Sequence, residues 1–192
     1  VFNCNNANFG GGICNKYSNL TLTNCIFSGN MTIWGGGIAN LNESFSVLLN
    51  CTFSNNFAYD SGGAIYNVQR GILTIISCIF WDNERFEIDN GNANMSIIYS
   101  NVHGGQSSIS DPWYDFIWGE GNIDKDPLFA DPDIGDYHLK SQAGRWDPNS
   151  GSWVIDDVTS PCINAGDPNS PVSDEPEPNG GIINMGAYGG TR

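Results

Sequence analysis

The motif Phe-x-x-Asn occurs at Phe2–Asn5, Phe27–Asn30, Phe53–Asn56 and Phe80–Asn83, with successive spacings of 25, 26 and 27 residues. Behind the first three copies comes a glycine-rich turn, read as Gly11-Gly12-Ile13-Cys14-Asn15, Gly36-Gly37-Ile38-Ala39-Asn40 and Gly63-Ala64-Ile65-Tyr66-Asn67. A degraded Ile88-Asp89-Asn90 follows the fourth. An apolar stretch comes next, carried by Leu20/Leu22, Val47/Leu48, Leu73/Ile75 and Ile97/Ile98, and it leads into Asn24-Cys25, Asn50-Cys51, Ser77-Cys78 and Ser100-Asn101. Each unit therefore reads as three short strands joined by turns. A period of this length signals a repeat architecture, because one such unit cannot bury its apolar face alone.

Stacking the units solves that problem. Coils set about 4.8 Å apart pair in parallel with their neighbours and enclose one continuous interior, with like residues over like. Phe27, Phe53 and Phe80 are expected in one column. Asn15, Asn40, Asn67 and Asn90 are expected in an amide ladder whose donors and acceptors satisfy one another along the axis, which makes buried Asn affordable. The glycines before each Ile supply a bend that excludes a Cβ. The fold class is all-β, a parallel β-helix with rungs of about 25 residues and a loop-rich C-terminal cap. Cys25, Cys51 and Cys78 share a column and are expected inside as small apolar groups. Cys4 and Cys14 leave that pattern and form the candidate disulfide pair.

Charge divides the chain. Residues 1–110 hold 6 acids and 3 bases, whereas 111–192 hold 15 acids and 4 bases, out of a net charge of −14. We divide the chain accordingly into repeat rungs at 1–105 and an acidic capping region of the same domain at 106–192. So negative a surface repels phosphate backbones and anionic lipid, which disfavours nucleic-acid and membrane-surface partners. No apolar run reaches the roughly 18 to 20 residues of a transmembrane helix. The opening Val1-Phe2-Asn3-Cys4 lacks the basic and apolar regions of a signal peptide.

The Gly-Gly-Ala-Ile type turns and the Phe-x-x-Asn motifs resemble the repeats of polymorphic outer membrane proteins and related bacterial surface proteins. Those have a right-handed, pectin-lyase-like β-helix. The resemblance covers about residues 1–105. The tail segments Asp126–Pro132, Asp136–Ser141, Ser160–Pro168 and Asn184–Gly190 are similar to the closing segments of secreted bacterial β-helix proteins. The resemblance implies an extracellular, secreted or cell-surface protein, and it does not imply one activity.

A polysaccharide lyase needs a cation, often Ca²⁺, and a Lys or Arg beside it. The repeat region offers only Lys16, Arg70 and Arg85, none in a column with acids. His103 and His138 have no evident Ser or Cys partner. A glycosidase needs two carboxylates across a sugar-sized gap, and of the repeat-region acids only Asp82 and Glu84 lie near one another in a turn. The sharpest metal signal is Asp131-Pro132-Asp133-Ile134-Gly135-Asp136, where Asp131, Asp133 and Asp136 form a candidate calcium loop, structural in role, for a cation that takes about six to eight oxygens. Trp34 and Tyr59, with Phe9 and Phe86, form a file of rings along one edge, and Trp113, Tyr114 and Trp118 cluster in the loop before the tail. Trp34, Tyr59, Trp113 and Trp118 are the candidate carbohydrate-binding residues, with packing as the competing use of the same rings.

Residue 1 falls inside a rung, which leaves an open parallel edge for a second copy or for upstream chain. The sequence thus points to an extracellular structural or adhesive β-helix module that self-associates head to tail into a filament or surface layer. A carbohydrate-active enzyme or polysaccharide-binding β-helix is the alternative.

Overall fold

The computed structural model describes residues 1–110, 115–172, 174–177 and 179–191. Among these the chain winds a parallel β-solenoid whose rungs run through three five-stranded sheets. Sheet one stacks Phe2–Asn3, Ile26–Ser28, Thr52–Ser54, Ile79–Trp81 and Asn101–Val102. Sheet two stacks Ile13–Lys16, Ile38–Leu41, Ile65–Asn67, Ile88–Asp89 and Ile109–Ser110, and sheet three Asn19–Thr23, Phe45–Leu49, Ile72–Ile76, Asn94–Ile98 and Phe116–Trp118. All pairing in these sheets is parallel.

The interior follows from the register. Phe2, Phe27, Phe53 and Phe80 stack face to face, with centroids 4.6, 4.7 and 4.8 Å apart and planes within 6° of parallel. Val102 ends that column. Ile13, Ile38, Ile65, Ile88 and Ile109 form the facing column. Between them, a Cβ on Gly36 would sit 2.0 Å from the carbonyl oxygen of Gly63, and one on Gly37 2.8 Å from the Phe53 ring. The paired glycines therefore set both the rung spacing and the seat of each ring.

Sheet three sets which residues of the apolar stretch face inward. The inward columns are Leu22, Leu48, Ile75 and Ile97 beside Leu20, Ser46, Leu73 and Met95. Val47 and Ile98 point outward and are half-buried. Ser46 is tolerated inside because its hydroxyl donates to Asn40 Oδ1 at 2.8 Å.

Three polar ladders run along the axis. Asn15, Asn40, Asn67 and Asn90 pass Nδ2 to the next Oδ1 at 2.8, 2.7 and 2.6 Å, and Asn90 ends on the carbonyl of Ala93 at 2.9 Å. A second ladder uses the asparagines of Phe-x-x-Asn. Asn5, Asn30 and Asn56 each send both backbone N–H and Nδ2 to Oδ1 of the next member, which ends the ladder at Asn83, the side-chain bonds being 2.9, 2.8 and 2.7 Å long. The third column replaces amides by Cys51, Cys78, Ser100 and Asn122. Each backbone N–H donates to the following side chain at 3.3, 3.0 and 3.0 Å. Among the described residues, which include all six cysteines, no disulfide forms; Cys4 and Cys14 are exposed thiols.

Turns between sheets three and one adopt left-handed backbone at Asn24, Asn50, Ser77 and Tyr99. Asn tolerates that conformation better than most residues. Those same positions receive the tail. After the antiparallel hairpins Phe129–Asp131/Asp136–Leu139 and Arg145–Asp147/Ser152–Val154, the chain climbs the flank of the solenoid from the bottom rung to the top. Cys162 Sγ accepts from Asn101 Nδ2, Asp167 N–H donates to Ser77 Oγ, and Asn50 and Asn24 donate to the carbonyls of Asn184 and Gly189. Cys162, Met185 and Ala187 close a second apolar cluster against the outward Ile26 and Ile79. The acidic half is thus a lateral buttress as well as the region beyond the last rung.

Candidate functional site

Between sheets one and two each rung makes an outer excursion. Met31–Trp34 pairs in parallel with Phe57–Ser61, and bridges from Asn6, Phe9 and Glu84 extend the strip above and below. Phe9 stacks on Trp34 with centroids 4.8 Å apart, and Trp34 Nε1 donates to Asp60 Oδ2. Tyr59 stands edge-on to Phe57 at 4.9 Å and is 59% exposed; Phe9, Phe86 and Met31 are each about 40% exposed. A sheet face with this many half-open rings is an unusual surface for a monomer, since exposed apolar groups are normally scattered. The bond to Asp60 fixes the indole plane, so the Phe9–Trp34 pair presents a preset face.

The other predicted rings lie elsewhere. Trp118 extends the inward column beneath Ile97 and packs on the core with Phe116. Trp113 lies outside the described residues. His103, on the lateral face, stacks on Trp81 at 4.3 Å and holds Asp82 Oδ1 at 3.0 Å. Of the repeat-region bases, Arg70 forms an exposed pair with Glu43 at 3.1 Å.

In the tail, Asp131 and Asp133 are exposed around the short helical turn Pro132–Ile134, with Gly135 left-handed after it. Asp136 is buried and turns the other way. Its Oδ1 meets His138 Nδ1 at 2.5 Å, and its Oδ2 lies 3.6 Å from the guanidinium of Arg145, which also binds Asp156 at 3.0 Å. Asp131 remains the cross-strand partner of Asp136. Among the described residues no three His, Cys, Asp or Glu side chains group closely enough to hold a metal.

His138 and Arg145 of this network form one wall of a cleft of about 540 Å³, with Tyr188 stacked on His138 at 3.7 Å. Trp146, Trp153 and Glu175 line it as well. Sequence reasoning missed this site because its parts come from four segments. The alternating Asp136-Tyr137-His138 strand was the one local hint that acid and imidazole share a face.

Buried polar groups are also perturbed along the core. Glu87, 3% exposed, receives Asn83 Nδ2 on Oε2 at 2.6 Å and the Asn83 N–H on Oε1 at 3.3 Å. It supplies the acceptor that a fifth Phe-x-x-Asn would have given. Burial lifts its pKa from the ordinary 4.5 to about 8 against the pull of those two donors. Burial likewise pushes the Cys162 thiol up to about 12.

Residues 50–68 match the Chlamydia polymorphic membrane protein repeat. That window runs from the corner Asn50 through Phe53, Asn56 and the glycine turn to Asn67, so it holds one member of the inward Phe column, one member of each amide ladder and one tight bend. The chain carries polymorphic-membrane-protein-type repeats wound into a parallel β-helix. Residues 82–166 of this β-helix repeat protein, less than half of the chain, match a family described as Disaggregatase related. That match crosses from the fourth rung into the tail, joining the lower rungs and the hairpins in one stretch. No curated protein and no solved structure matches the chain. No described helix is long and apolar enough to cross a membrane.

Proposed function

We propose that this β-helix is a surface-displayed adhesive module that binds polysaccharide through its lateral ring strip. The Phe9–Trp34 stack beside exposed Tyr59 and Phe86 carries the reading: flat, half-open rings held on a rigid sheet suit the apolar faces of sugars, and the neighbouring Asp60 offers an acceptor for hydroxyls. The resemblance of residues 50–68 to a membrane-protein repeat supports display at a cell surface. The lyase alternative wants a base beside clustered acids on an exposed strand, whereas Arg70 pairs with the single acid Glu43 among the described residues.

Binding to a panel of immobilised neutral and acidic polysaccharides tests the reading. The wild type is expected to bind at least one, and the double substitution Trp34→Ala with Tyr59→Ala to weaken it about tenfold or more at unchanged melting temperature. Equal binding by the double variant, or no binding to any member, overturns it. New ultraviolet absorbance from an unsaturated product would instead favour the lyase.

A further inference from the structure

The cleft in the tail carries an inference independent of the ring strip. Trp146 and Trp153 are directly opposed across the hairpin and remain 39% and 55% exposed. Beside them Glu175 is 7% exposed. Its Oε1 accepts the N–H groups of Asn184 and Gly190, both at 2.8 Å, and among the described residues its Oε2 has no partner. Arg145, the one Lys or Arg on the lining among the described residues, is already matched by Asp156 and Asp136. Among the described residues, the acids on the lining without a cationic partner are Glu175 and Glu177. A half-satisfied buried carboxylate is unfavourable unless something completes it.

The geometry points to a binding site for a sugar carrying a free ammonium group, its ring against Trp146 and Trp153 and its ammonium on Glu175. A cation beside an indole face gains from the ring quadrupole, and an ammonium donor completes the orphan oxygen. The cleft has the volume of a small-ligand site. Burial pushes the Glu175 carboxyl above the usual range, the condition a bound cation would relieve.

The test is titration of the intact chain with a β-linked trimer of glucosamine and with its fully N-acetylated counterpart, followed by calorimetry and Trp fluorescence. The free-amine trimer is expected to bind at least about tenfold tighter than the acetylated one. Glu175→Gln and Trp153→Ala should each weaken it about tenfold or more. Trp34→Ala should leave it unchanged, which separates this site from the ring strip. Should Glu175→Gln fail to fold by circular dichroism, Trp153→Ala, on an exposed face, decides the matter. Equal binding of the acetylated trimer, equal competition by tetralysine, unaltered binding by Trp153→Ala, or no binding at millimolar ligand overturns the proposal.

Discussion

Replacing Glu87 by Gln should remove the pH dependence of stability that this carboxyl imposes. In the native ladder both carboxyl oxygens of Glu87 accept from Asn83, and burial raises its pKa to about 8. A carboxyl whose folded pKa lies above its unfolded value of 4.5 stabilises most below that lower value. That contribution is lost as pH rises, at about 1.4 kcal/mol per unit, until the folded group ionises near pH 8. The full loss is about 5 kcal/mol, comparable with the whole stability of many domains. Glu87→Gln removes the titration but offers one acceptor where two are used, which costs about 1 to 3 kcal/mol at every pH. Urea unfolding of both proteins between pH 5 and 9, read by Trp fluorescence, should therefore give curves that cross near pH 6, the variant being the more stable above it. Glu84→Gln, which removes an exposed acid three residues away, should show no such crossing and controls for net charge. A difference between wild type and Glu87→Gln that stays constant across this range would refute the reasoning.

Asn56→Ala deletes a ladder member and strands the N–H and one Nδ2 hydrogen of Asn30; we expect about 2 to 5 kcal/mol lost in urea unfolding, against under about 0.5 for the exposed Asn19→Ala. Gly36→Ala places a Cβ 2.0 Å from the Gly63 carbonyl and should lower stability by about 1 to 3 kcal/mol or more, seen as a reduced melting temperature. A thiol reagent at pH 8 should label Cys4 and Cys14 rapidly in the native protein, while Cys51, Cys78 and Cys162 react only on unfolding, because they are buried and out of the reagent's reach.

The repeat period exposed the solenoid because each coil reuses the same inward Phe, Ile and Asn, and parallel stacking converts sequence spacing directly into spatial contact. Sheet three was harder. Ser46-Val47-Leu48-Leu49 and Ser96-Ile97-Ile98 are apolar on both parities, so alternation alone does not choose a face; the Ser46 bond to Asn40 and the position of Leu22 do. The Phe-x-x-Asn asparagines were visible as a motif, yet their function as a second ladder depends on the left-handed residue just before them, at Cys4, Gly29, Asn55 and Asp82, which aims the amide along the axis. Glu87 was unreadable locally, because it matters only where the next repeat lacks its Asn. The tail cleft joins residues 138, 145, 153 and 175 through non-repeating loops, where no period exists to extrapolate.

Vertical registry of side chains one coil apart is most directly measured by nuclear Overhauser contacts in a sample labelled only at Phe. The account predicts contacts between the Phe27 and Phe53 rings and between the Phe53 and Phe80 rings, whose centroids lie 4.7 and 4.8 Å apart, with none directly between Phe27 and Phe80. Absence of the two neighbouring contacts, or a direct Phe27–Phe80 contact, would contradict it.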